Sequence, residues 1–145
     1  KKPRLIIRYS QEDASQALQS TVSDEAKQFN TVAIITPTQT SARHVYRQLH
    51  RSLTCHLLST KDRKLPSGIL ILPLYLAKGL EFDCVIAADI AESVIGKQEA
   101  IGPLYTMATR AMHELVMISS GPVSSAINDE ASKQLKIEHQ LSNLH

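Results

Sequence analysis

Cysteine, aromatic residues and surplus charge are all scarce in this sequence, and each scarcity closes off a class of protein. The two cysteines, Cys55 and Cys84, lie inside apolar runs and form no C-x-x-C pair. They are expected to be buried thiols of a reducing compartment, with neither a disulfide scaffold nor a zinc site. Four tyrosines, two phenylalanines and no tryptophan provide no broad platform for stacking bases. Sixteen Lys or Arg against fourteen Asp or Glu give a net charge of +2, far below the basicity that by itself marks a nucleic-acid binder. The longest largely apolar stretch, Ile69 to Ala77, is interrupted by Pro73 and falls well short of the ~18 residues a membrane span needs. Ahead of Arg8 only Leu5, Ile6 and Ile7 are apolar, too few for a secretion signal, so a cytoplasmic protein without a membrane is expected. The chain opens on Lys1 and not on Met, with a strand-like segment almost at once, as expected of a piece of a longer polypeptide.

What is present is the composition of a globular domain, 43% hydrophobic and 21% charged over 145 residues. Short runs rich in Ile, Val and Leu alternate with amphipathic stretches, the pattern of β-α units around a largely parallel sheet. The expected strands are Leu5–Tyr9, Val32–Thr36, Cys55–Ser59, Ile69–Pro73, Cys84–Ala88 and Leu115–Ser119. Five of them read as continuous runs, which predicts burial on both faces and a three-layer α/β domain. Helices are expected over Gln11–Phe29, with Ala14, Leu18, Val22, Ala26 and Phe29 facing inward, and over Thr40–Leu53, capped by Thr38 or Thr40. A third is expected from about Pro103 to His113. The domain is expected to span 1–127, leaving 128–145 as a polar tail or helix.

Three segments have the makings of a functional site. Leu76-Ala77-Lys78-Gly79-Leu80-Glu81-Phe82-Asp83 joins two buried strands; its glycine permits close backbone approach to a ligand, and its carboxylate can accept from sugar hydroxyls. Standing alone it would be an ordinary turn. Leu104 to Ala111 is expected to carry Arg110 on a rigid helix, where a fixed guanidinium can stabilise charge on a transferring phosphoryl group, or simply pair with Glu114. Val32 to Arg43 is a strand entering a helix, with Arg43 near the end that favours anions; a solvated basic face of Arg43, Arg47 and Arg51 is the plainer alternative. Six histidines, among them His44, His50 and His56, come with no H-E-x-x-H, so no metal site is expected; Ser119-Ser120-Gly121 is not a nucleophile elbow.

In this order the segments resemble the second RecA-like motor lobe of superfamily 1 helicases of the UvrD/Rep/PcrA type. A-K-G-L-E-F-D is similar to helicase motif V, L-Y-x-x-A-T-R-A to motif VI, and A-I followed by S-x-R to motif IV. The resemblance covers Val32 to Ser119, and L-P-x-Y-L-A-K-G-L-E-F-D is most similar to the helicase-IV-like branch that includes HelD. It implies a RecA-like (P-loop NTPase-like) fold and half of an ATP site. Arg110 would be the arginine finger and Arg43 the motif IV arginine on the γ-phosphate; Gly79 would touch the triphosphate and Glu81 the ribose, with Lys78 supporting the loop. Pro73 and Tyr75 stand where the family pattern has Thr and His, positions that couple the nucleotide to a DNA strand, so ordinary unwinding is put in question. Tyr75, Arg47 and Arg51 are the candidate nucleic-acid contacts.

The sequence has no G-x-x-x-x-G-K-[ST]; Gly96-Lys97 lacks both the upstream glycine and the following Ser or Thr. ATP with Mg2+ would therefore need a companion N-terminal lobe to hold the metal, and the isolated chain is expected to be inactive. The expected partners are that lobe, single-stranded or duplex DNA and, for the HelD-like branch, RNA polymerase. The alternative is a non-catalytic RecA-like module that docks on RNA polymerase or a repair complex.

Overall fold

Apolar runs without polar alternation have to be covered on both sides. In the structure, a computed structural model that describes residues 3–62, 64–91, 106–123 and 136–140, they form the middle of a seven-stranded sheet. The strands are β1 (Arg4–Arg8), β2 (Thr31–Thr36), β3 (Cys55–Leu57), β4 (Gly68–Pro73), β5 (Phe82–Ala88), β6 (Ala111–Ser119) and β7 (Lys136–Gln140), in the order β3-β4-β2-β5-β6-β1-β7. Every pairing described is parallel.

Two helices, α1 (Gln11–Ala26) and α2 (Gln39–Leu49), carry the chain from β1 to β2 and from β2 to β3. Both cover the same face, where Leu18, Val22, Val45 and Leu49 pack on Ile6, Ile34, Ile71 and Ile86. The later connections run back across the sheet. Right-handed crossovers in the opposite direction must lie on the opposite face, and there Leu58, Ala77, Ile90 and Met107 cover Leu5, Ile35, Leu72 and Val85. Among the described residues this second layer contains short pieces only, a 3-10 turn at Leu74–Leu76 and helical residues 106–108.

Each helix starts where its cap dictates. Ser10 Oγ accepts from the Asp13 amide at 3.1 Å, and Thr38 Oγ1 accepts from the Ser41 amide at 3.1 Å. Thr38, one of the two caps considered, is the one used.

Several expectations are corrected. α1 ends at Ala26, which is exposed, while Glu25 is buried in its place. A strict i+4 series from Ala14 drifts about 40° per step, so Ala26 has rotated off the core, whereas eleven residues come back to within about 20°. α2 stops at Leu49, and Leu53 reaches the core from the turn beyond. Cys55 is only half-buried, because β3 is an edge strand. Lys136–Gln140, in the stretch read as tail or helix, is a strand beside β1. The expected third helix does not reach His113, since β6 begins at Ala111; Pro103 to Tyr105, its expected start, lie outside the described residues, as do Gly96-Lys97 and the 127/128 boundary.

Candidate functional site

After Pro73 the chain has to return from the carboxyl edge of the sheet to its amino edge before β5 can begin. The 3-10 turn starts this return: the Ala77 amide donates to Leu74 O at 2.9 Å, and the Leu80 amide donates to Ala77 O at 3.0 Å. Leu74, Leu76 and Leu80 pack against the core while Lys78, Gly79 and Glu81 stay exposed. Gly79 sits at φ +76°, in the left-handed region, where glycine pays no Cβ penalty. Its exposed peptide is therefore free for a close approach from outside.

Arg110 meets this segment at the amino edge. The helical residues 106–108 end in a turn closed by the Arg110 amide donating to Met107 O at 3.1 Å, with Met107 fully buried beneath it. Arg110 thus projects from a helix-to-strand junction and not from a helix face, which corrects the sequence expectation. Ala111 and Leu115 do reach the core, but as members of a strand, because β6 pairs with β5 along most of its length. The Phe82 amide donates to Arg110 O at 2.8 Å, and Phe82 is opposite Ala111 in the ladder. Glu81 and Arg110 are therefore the residues that immediately precede a paired position on neighbouring strands. A register shift follows at once, between Phe82 and Cys84, the kind of bulge that re-aims side chains at the rim of a sheet. The Arg110 Nε is shielded from water and has no hydrogen-bond partner among the described residues. Leaving such a donor unmatched is costly, and an anionic acceptor supplied from outside would remove that cost.

Arg43 is elsewhere. It is an exposed residue near the start of α2, on the helical face of the sheet and toward its carboxyl edge, whereas Arg110 is at the amino edge, immediately before β6. The chain gathers Lys78, Gly79, Glu81 and Arg110 along one connection and its adjoining edge, and separates them from Arg43, Arg47 and Arg51. Tyr75, 60% exposed, leans the other way: its hydroxyl donates to Gln39 Oε1, on the first residue of α2, at 3.3 Å.

One cluster was not legible in the sequence. Glu25, Cys84 and Glu114, all buried, bring their donor atoms within 4.8 Å of one another. The Arg4 guanidinium lies 3.9 Å from Glu25 and supplies positive charge. Burial, with the two carboxylates adding to it, pushes the Cys84 thiol up to about 12. Only the eleven-residue spacing from Ala14 to Glu25 hinted that this carboxylate faces inward. At the far edge of the sheet, His56 Nε2 is 3.2 Å from Asp62 Oδ1, and Asp62 Oδ2 accepts from the Ser59 amide at 2.7 Å. That backbone bond, and then His56, hold the Asp62 carboxyl below its ordinary range.

Known proteins resemble the chain in both sequence and fold. Residues 68–118, from the start of β4 into the last residues of β6 and including both Gly79 and Arg110, match the UvrD-like helicase C-terminal domain family. The crystal structure of the C-terminal domain of a possible DNA helicase from a Lactobacillus strain, WCFS1, superposes with a TM-score of 0.84 at 25% identity, over 94% of this chain and 85% of that one. An Arterivirus helicase, nonstructural protein 10, solved in complex with DNA, has a TM-score of 0.60 at 9% identity over 94% of this chain and 35% of its own, a likeness of fold. No curated protein matches the chain. Among the described residues no helix is long and apolar enough to cross a membrane. The fold is thus that of an α/β, RecA-like helicase C-terminal domain, and the stretch holding Gly79, Glu81 and Arg110 is the part that matches the UvrD-like helicase C-terminal family.

Proposed function

We propose that the chain is the C-terminal motor lobe of an ATP-dependent DNA helicase or translocase of superfamily 1, supplying one half of an ATP site to a companion N-terminal RecA-like lobe. The observation that carries this reading is the joint between Phe82 and Arg110. It unites the two segments that resemble motifs V and VI and leaves a shielded guanidinium N–H without an acceptor among the described residues. The residues fit a nucleotide. Arg110 presents the finger, the Gly79 backbone lies open to the phosphates, Glu81 is exposed for the ribose hydroxyls, and Lys78 flanks the turn. ATP with Mg2+, the metal held by the companion lobe, supplies the phosphoryl group whose departure drives the motor. Since the chain has no G-x-x-x-x-G-K-[ST], hydrolysis requires both lobes. Pro73 and Tyr75 within L-P-x-Y-L-A-K-G-L-E-F-D favour the helicase-IV-like branch, in which force could be applied to a protein partner as well as to a strand.

Arg110→Ala in the full-length polypeptide tests the assignment. An arginine finger contributes about 10³- to 10⁵-fold to phosphoryl transfer, so the expected result is loss of ATP hydrolysis on that scale with ATP binding retained. Undiminished hydrolysis in a folded, ATP-binding variant refutes it and leaves the non-catalytic module as the better reading.

A further inference from the structure

Arg110 stands just outside an irregularity of the sheet. Phe82 is opposite Ala111 and Cys84 is opposite Glu114, so Met112 and His113 of β6 face Asp83 of β5 alone. Two residues against one make a bulge, which interrupts the ladder and leaves the pairing beyond it short of support. The joint from the Phe82 amide to Arg110 O lies on that outer side, and the direction of the Arg110 side chain therefore follows from whatever holds the bulge. The end of α1 reaches it at two points. Past the helix the Phe29 amide donates to Glu25 O at 3.0 Å, and the Phe29 ring lies parallel to the exposed His113 ring, with 7° between their planes and 6.2 Å between centroids. Phe29, Asp83 and His113 line one open depression. One step further in, at the first pair after the bulge, Cys84 Sγ donates to Glu25 Oε2 at 3.9 Å. α1 needs neither contact to stay on the sheet, since Leu18 and Val22 already pack there. A carboxylate only 4% exposed is a costly way to add packing. What it supplies is a fixed geometry.

We propose that the end of α1 is the positioning element of Arg110: Phe29, stacked on His113, and Glu25, bonded to Cys84, hold the bulge and through it the aim of the guanidinium. Phe29 and His113 are positioning residues, acting through Arg110 and not on the nucleotide. The inference rests on the reading of Arg110 as the arginine finger and adds the device that sets its geometry. An arginine at a helix-to-strand junction has less support from its own element than one on a continuous helix, so its aim has to be fixed from a neighbouring element. The cost of losing that support is large, because a displacement of about 1 Å forfeits about 10²-fold in rate.

The test measures ATP hydrolysis by the full-length polypeptide. His113→Ala, and Phe29→Leu, which keeps an apolar side chain over the core, should each lower kcat by about 10- to 100-fold with KM for ATP unchanged. His113→Phe retains a ring for the stack and should recover most of the rate. In the Arg110→Ala background, His113→Ala should have no further effect. Amide exchange in the 145-residue chain reads the joint itself: His113→Ala should speed exchange at the Phe82 amide while the middle of β5 stays protected. The positioning role is overturned if His113→Ala keeps the parental kcat, if its effect falls on KM, if His113→Phe is as slow as His113→Ala, if the loss persists in the Arg110→Ala background, or if exchange at Phe82 is unchanged. Arg110→Ala alone, run in parallel, separates this inference from the function it rests on. Full activity in that variant refutes the finger, whereas a fully active His113→Ala beside an inactive Arg110→Ala refutes only the positioning.

Discussion

Replacing Gly79 by alanine separates backbone strain from side-chain packing with unusual clarity. The residue has φ +76°, and a Cβ built there meets nothing within 4 Å. No clash contributes, so the whole effect comes from the backbone. Holding an L-residue in the left-handed region costs about 1–2 kcal/mol. Against this, alanine restricts the unfolded chain, which returns about 0.4–1 kcal/mol. The expected net loss for Gly79→Ala is therefore about 1 kcal/mol. Asparagine tolerates the left-handed region better, and Gly79→Asn should lose less than half as much. Gly68→Ala is an internal control: φ is +96° with open space around it, and the same sign is expected. The assay is urea denaturation of the chain, with the change appearing in the midpoint and not in the slope. If Gly79→Ala is as stable as the parent, the positive φ is not a constraint that folding imposes. A loss above ~3 kcal/mol means that packing is involved, and the claim of an open, approachable peptide fails with it.

Two further outcomes follow from the same structure. Cys84 should resist thiol reagents at pH 8 while the half-buried Cys55, raised only by desolvation, reacts first, giving one fast thiol in the native chain and two in urea. The folded thiol titrates at about 12 against an ordinary 9.0, so its contribution to stability is complete below pH 9 and is lost as pH rises from 9 toward 12. A Cys84→Ser variant with the same alkaline stability profile would show that the buried thiol is not the group responsible. Thr38→Ala removes the acceptor for the Ser41 amide and should cost about 0.5–2 kcal/mol by the same denaturation assay; Thr38→Ser should recover most of it, and an unaffected alanine variant would contradict the cap.

The boundaries misread from the sequence share one cause. Ala111 and Leu115 satisfy a helical stripe as well as they satisfy a strand, because both spacings reach the same core. The pairing of β6 with β5 decided between them, which moved Arg110 from a helix face to a junction. Lys136–Gln140 lacks the apolar density of a buried strand, yet it lies at the sheet edge, where one face and one flank are enough. Glu25 was invisible as a core residue because a charged side chain enters the interior only when groups from elsewhere receive it, here the Arg4 guanidinium and the Cys84 thiol.

The scarcity of cysteine, aromatic residues and net charge, together with the continuous apolar runs, determined an α/β domain whose sheet is buried on both faces. Local order was also enough to narrow the cap of α2 to Thr38 or Thr40 and for the chemistry available at Gly79, Glu81 and Arg110. Only the tertiary structure decided which of these groups share a place. Chain order puts Arg43, Glu81 and Arg110 in a single series, but a parallel sheet sends successive connections over opposite faces according to the direction in which they travel. The crossover from β4 to β5 therefore ends beside Arg110 at the amino edge, and α2 carries Arg43 to the other side.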